Sequence, residues 1–101
     1  MSKYIVSPEA NEDIFEIWRY MAVQADVETA ERVTNDIYPA FASLVRMPGQ
    51  GHTRSDLTSH SVLFFNVYSY LIVYRPKSPL EIVAVLHGKR DVKQLLRERS
   101  V

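Results

Sequence analysis

Hydrophobic spacing changes period once along this chain, and that switch limits the folds open to it. Between Ser7 and Met47 apolar residues recur every three or four positions: first Ala10, Ile14, Ile17, Trp18 and Met21, then Ala30, Val33, Ile37, Phe41 and Leu44. Each stripe gives one helix a single face to bury. From Val62 the apolar residues come instead in three runs, 62–67, 70–75 and 80–87, rich in β-branched and aromatic side chains. Runs of that composition form strands. Helices come first and strands later, which points to an α+β domain rather than an alternating parallel one.

Local signals place the boundaries. Ser7 is an N-cap candidate, Pro8 suits the first helical position, and Glu9, Glu12 and Asp13 suit the positive end of the helix dipole. Asp26 caps a second helix, which Pro48-Gly49-Gln50-Gly51 ends near Met47. Pro39 cannot donate to the Asn35 carbonyl, so a bend is predicted there. With so short a connection the two helices form an antiparallel hairpin. Tyr4-Ile5-Val6 is a short strand completed by the later ones, and the links Tyr68-Ser69 and Pro76-Lys77-Ser78-Pro79 imply an antiparallel meander with an exposed edge. Asp91 caps a last helix from Val92 to about Glu98, with Gln94 placed for the return bond of a capping box. Val92, Leu95 and Leu96 then pack on the sheet, and Lys93, Arg97 and Arg99 face out. The expected order is β-α-α-β-β-β-α, one domain over residues 1–101 with the helix hairpin on a mainly antiparallel sheet.

Composition narrows the chemistry. Cysteine is absent, which excludes disulfides and thiolate metal sites, and His52, His60 and His87 show no metal-ligand spacing. No metal or cofactor is expected. The start, Met1-Ser2-Lys3-Tyr4-Ile5-Val6, turns polar at Ser7-Pro8-Glu9 before a signal segment develops, and no apolar run nears the roughly 20 residues of a membrane span. A cytoplasmic protein without membrane contact is expected. The net charge of zero hides a polarity: residues 1–50 carry four Lys or Arg against eight Asp or Glu, and residues 51–101 carry eight against four. Two readings follow. One is an anionic partner for the second half; the other is solvated acidic helix faces and a basic last turn.

Several segments, in the right order over nearly the whole chain, resemble the ParE branch of the RelE/ParE toxin superfamily, also grouped as plasmid stabilisation proteins. Ser7-Pro8-Glu9-Ala10 with Asp13-Ile14 and Ile17-Trp18-Arg19-Tyr20 is similar to that family's opening helix. Leu44, Pro48, Gly51, Arg54, Asp56 and Leu57 resemble its connector, 70–75 its central strand, and Glu81-Ile82-Val83 through Val85-Leu86-His87-Gly88 and Arg90-Asp91 its ending. Leu63 stands where many relatives carry an arginine, and Tyr68 where many carry a small residue.

The resemblance implies a type II toxin that poisons DNA gyrase without catalysis and is neutralised by a cognate antitoxin. That antitoxin would wrap an acidic, partly disordered C-terminal segment over the toxin and carry the DNA-binding part, so that the toxin meets DNA only through it. RelE-type relatives instead cleave ribosome-bound mRNA, which needs a base, an acid and cations around phosphate. They resemble one another in a C-terminal tyrosine that the tail Leu95-Leu96-Arg97-Glu98-Arg99-Ser100-Val101 lacks. The candidates for such chemistry here are His87, Arg90 and Arg54, with Lys89 and His52 behind them. For target contact they are Arg90, Lys93 and Arg97; for antitoxin contact, Trp18, Arg54, Asp56, Tyr74, Arg75 and His87. Each has a plainer reading: Arg54–Asp56 as a local clasp, His87 bonded to its neighbouring connector, Trp18 and Tyr20 as core or hairpin residues. A non-toxic module that only binds antitoxin is a third possibility.

Overall fold

The computed structural model describes residues 3–101, and Met1 and Ser2 of the N-terminal run lie outside the described residues. The elements are β1 (Tyr4–Val6), α1 (Pro8–Gln24), α2 (Val27–Arg46), β2 (Leu63–Val67), β3 (Tyr70–Arg75), β4 (Leu80–His87) and α3 (Val92–Glu98). A single 3-10 turn, Pro48–Gln50, follows α2. The capping residues act as their chemistry dictates. The Ser7 hydroxyl accepts from the Ala10 N–H at 3.1 Å, the Asp26 carboxylate from Thr29 at 2.6 Å and Asp91 from Gln94 at 3.1 Å. The return bond of the last box is not made, because the Gln94 amide donates to Glu98 at 3.3 Å. Helix α2 continues through Pro39 to Arg46.

Strand order is β1-β4-β3-β2, with β1 parallel to β4 and the other pairs antiparallel. The strand expected from Val62 starts one residue later, with Val62 itself buried beneath the sheet. Both faces are covered. Ile14, Ile17, Ile37, Phe41 and Leu44 of the hairpin bury Tyr70, Ile72, Tyr74, Ile82 and Val85. On the other face Val92, Leu96 and Val101 join Val62, Phe64, Leu71, Val73, Val83 and Leu86. Burial on both faces explains why β3 and β4 read as continuous apolar runs instead of alternating ones. Of the residues read as core or hairpin, Trp18 and Tyr20 both stand on the hairpin, Trp18 half-buried and Tyr20 63% exposed.

A β-bulge sets the sides of β4. Val73 pairs with Ala84 but Tyr74 pairs with Ile82, so Val83 is the extra residue. An inserted residue reverses the alternation beyond it. Val83 therefore faces α3 while Val85 faces the hairpin. His87 shares the side of Val85 and not that of Glu81 and Val83, against the simple alternation of the sequence.

Two long-range contacts lock the layers. Strand β1 pairs with β4 only from Leu80 to Ile82, and beyond it the Val85 N–H donates to the buried Asp13 carboxylate at 3.0 Å. Arg99 closes on the same carboxylate with two bonds of 2.6 and 2.7 Å. Arg99 was expected to face solvent; instead it reaches α1 across 86 residues of sequence, and pairing with Asp13 drives its guanidinium further up from its ordinary value. Tyr74, fully buried, donates its hydroxyl proton to the Pro48 carbonyl at 2.6 Å and accepts from the Gly51 N–H at 3.0 Å. A side chain at Gly51 would put its Cβ 2.6 Å from that hydroxyl and 2.9 Å from the Phe64 carbonyl.

Asp13→Ala leaves Arg99 without a counter-ion and the Val85 N–H without an acceptor, and should cost about 3 kcal/mol in urea denaturation. Asp13→Asn, which keeps an acceptor, should lose less. Gly51→Ala should cost about 1–3 kcal/mol by overpacking, read in the same assay, and an unchanged midpoint would contradict the close approach.

Candidate functional site

On the sheet face opposite the hairpin, the 54–60 connector and α3 enclose two neighbouring cavities. The larger, about 390 Å³, is lined by Arg54, Arg90 and Lys93 with Asn66, Leu71 and Gly88 among its walls. Lys93 also lines the second, of about 280 Å³, together with Arg97. The expected target-binding cations Arg90, Lys93 and Arg97 therefore share one groove, all three exposed and without an ion pair among the described residues.

Of the other candidates, Arg54 lines the larger cavity and the rest lie elsewhere. Arg54 and Asp56 form the clasp, with Nε to Oδ1 at 3.0 Å and Nη2 to Oδ2 at 2.8 Å, in solvent. The Arg54 hydrogen bonds, aided by Lys93 nearby, hold the Asp56 carboxyl below the usual carboxylate range. Arg75, half-buried, is committed to Glu81 at 2.9 Å. Tyr74 has no surface to offer a partner. Trp18 sits on α1, across the sheet from the groove.

His87 stands apart from this groove. Its Nδ1 accepts the Lys89 N–H at 3.0 Å, the connector bond expected of a structural histidine. Its ring packs edge-on against Tyr70, centroids 5.3 Å apart, and Tyr70 belongs to the hairpin-side core. The three residues proposed for RNA cleavage are thus split: Arg54 and Arg90 line the groove, and His87 lies on the far side of the sheet. The bulge at Val83 is the physical cause, and local sequence carried no sign of it.

Residues 4–92 match the family of ParE toxins of the type II toxin–antitoxin system parDE. The chain belongs to the ParE toxin family. Among solved structures, a chain from the chromosomal ParDE toxin–antitoxin system of P. aeruginosa superposes with a TM-score of 0.73 at 19% identity, covering 86% of this chain and 96% of that one. At that identity the likeness establishes the fold, β-α-α-β-β-β-α with a four-stranded mixed sheet. No curated protein sequence matches the chain. Family membership makes it a type II toxin by lineage and accounts for the connector and β4 ending read in the sequence. No described helix is long and apolar enough to cross a membrane.

Two features of this ParE-family face were not read in the sequence. Ser55, Thr58 and Ser59, in an irregular segment without periodicity, become cavity wall. The sheet edge is also less open than a bare meander. His52 pairs with Phe64, exchanging two N–H to C=O bonds of 2.8 Å, so the open stretch of β2 is its Asn66 end.

The Asp56 result gives a direct check. Its carboxyl, followed by NMR, should titrate below the ordinary range, and Arg54→Gln should return it upward. Because the folded value is depressed, any stabilisation is present above the ordinary carboxylate value and is lost as the pH falls through the depressed one. Both groups are in water, so thermal stability should barely respond.

Proposed function

We propose that this chain inhibits growth by contact rather than by catalysis, with DNA gyrase as its target, and that a cognate antitoxin neutralises it in the cytoplasm. The observation that carries this reading is the separation of His87 from Arg54 and Arg90 by the sheet. General acid–base cleavage needs its groups around one reacting phosphate, and the three residues read for that chemistry stand on two faces of the sheet. Unpaired cations on a groove favour recognition of an anionic or acidic partner surface and speed its approach. Arg90, Lys93 and Arg97 carry that contact in this reading. The choice of gyrase rests on the family resemblance.

The antitoxin has different surfaces available. Phe15, Tyr20 and Val23 stand 53%, 63% and 75% exposed on α1, apolar area that an ordering helical segment can cover. The Asn66 end of β2 offers backbone groups to an added strand, and Arg54–Asp56, Arg75, Trp18 and His87 stand as contacts along the way. Tyr74 acts from inside, by holding the connector turn. An acidic antitoxin segment suits the basic second half of the chain, and contact with DNA is left to the antitoxin.

Arg90, Lys93 and Arg97 changed together to alanine should leave stability within about 0.5 kcal/mol per site, since all are exposed and unpaired. Growth inhibition on induction in a bacterial host should vanish. The wild-type chain should raise an SOS reporter while transcripts stay intact. Fragmented mRNA without SOS would replace this reading with RNA cleavage, and normal growth at confirmed soluble expression would leave antitoxin binding alone.

A further inference from the structure

The smaller cavity beside α3 has a composition that contact with a protein target does not explain. Lys93 and Arg97 line one side, Ser55, Thr58, Ser59 and His60 the other, and no acidic side chain is among its walls. Ser100 adds a fourth hydroxyl. The nearby carboxylates are committed elsewhere: Asp56 to Arg54, Asp91 to the cap of α3, and Glu98 to the Gln94 amide. Lys93 and Arg97 stand four residues apart on one helix face, where like charges repel. A bound anion between them removes that repulsion.

Ser100 supplies a second, independent observation. Helix α3 ends in a Schellman motif: the Val101 N–H donates to Leu96 at 2.8 Å, the Ser100 N–H to Arg97 at 3.0 Å, and Val101 buries its side chain with Leu96. The position that must turn left-handed in this motif favours glycine. Here it is Ser100, with φ at 59°. A side chain there costs stability, and Ser100 is one of the residues that line the cavity. Thr58 is similarly set. Its oxygen accepts the His60 N–H at 3.1 Å, which leaves its own proton free to donate.

We propose that this cavity binds the phosphate group of a phosphate ester, with Lys93 and Arg97 balancing its charge and the Ser55, Thr58, Ser59 and Ser100 hydroxyls donating to its oxygens. A planar carboxylate offers two oxygens in one plane. A phosphate group is tetrahedral, with three terminal oxygens in a monoester and two in a diester held out of any one plane with its ester oxygens, which suits donors converging from two walls. Arginine matches two of those oxygens at once. Lys93 and Arg97 also serve the proposed target contact, but phosphate binding is read on the isolated chain and growth inhibition in the cell, so either can fail without the other.

The test is an NMR titration of the ¹⁵N-labelled chain at fixed ionic strength with inorganic phosphate, then adenosine monophosphate, then a short single-stranded DNA. Amide shifts should be confined to 55–60 and 93–101 and should saturate. Lys93→Gln with Arg97→Gln should weaken phosphate about tenfold or more while melting stays unchanged. Ser100→Gly should raise the melting temperature yet weaken phosphate, a combination that a purely structural role for Ser100 does not produce. A mononucleotide that binds as well as the oligonucleotide assigns a free nucleotide as source; much tighter oligonucleotide binding assigns a polynucleotide backbone. Shifts scattered over every basic residue, equal binding by the double variant, or a glutamate-rich peptide that saturates the site where phosphate does not would overturn the proposal.

Discussion

Strand β4 is eight residues long and its parallel neighbour β1 is three, and much of the molecule is arranged around the edge this leaves. A central strand cannot leave its amides buried and unpaired. Ser7, just past the end of β1, donates its N–H to the Ile82 carbonyl at 2.9 Å, and its hydroxyl lies 3.4 Å from the Val83 carbonyl. One turn and a half further along α1, Asp13 takes the Val85 N–H and then needs a cation, because a buried carboxylate without one is costly. Arg99 provides it from the end of α3. One carboxylate thereby joins the first helix, the central strand and the last helix. The short α3, which could not hold its place by propensity alone, is fixed on the sheet by this pair and by Val92, Leu96 and Val101.

Fixing α3 there divides the surface by chemistry. The hairpin comes from the acidic half of the sequence and the groove from the basic half, so the sheet separates the two signs of charge. The bulge at Val83 adds a second division by sending His87 toward Tyr70 and away from Arg90. His87 and the groove arginines therefore stand on opposite faces of the sheet. The exposed Phe15, Tyr20 and Val23 on the hairpin and the cations along α3 are thus separate surfaces of the molecule.

Short-range chemistry was legible without coordinates. The caps at Ser7, Asp26 and Asp91, the stop after Arg46, the bounds of β3, β4 and α3, and the Arg54–Asp56 clasp each depend on residues within a few positions of one another. Pattern and cap chemistry act at that range, and the family's segments are made of such pieces. The candidate site was legible in part for the same reason: Arg90, Lys93 and Arg97 lie together because a helix and its preceding turn bring them together.

What the tertiary structure alone decided depends on residues far apart in sequence. Asp13 looked like one more acidic residue for a helix dipole, and Arg99 like one more cation in a basic tail, until the fold set them 2.6 Å apart. Tyr74 looked available in an apolar strand until the turn after α2 closed over its hydroxyl. His87 changed face through a bulge, and the Ser55–His60 segment gained a role only when α3 came to lie beside it. The sequence by itself determined which elements form and where each one stops, since those free energies are local. Which side chains meet across the sheet was decided by how the layers closed, since a buried charge, an unpaired strand edge and an extra residue in β4 are satisfied only by partners that folding brings from elsewhere in the chain.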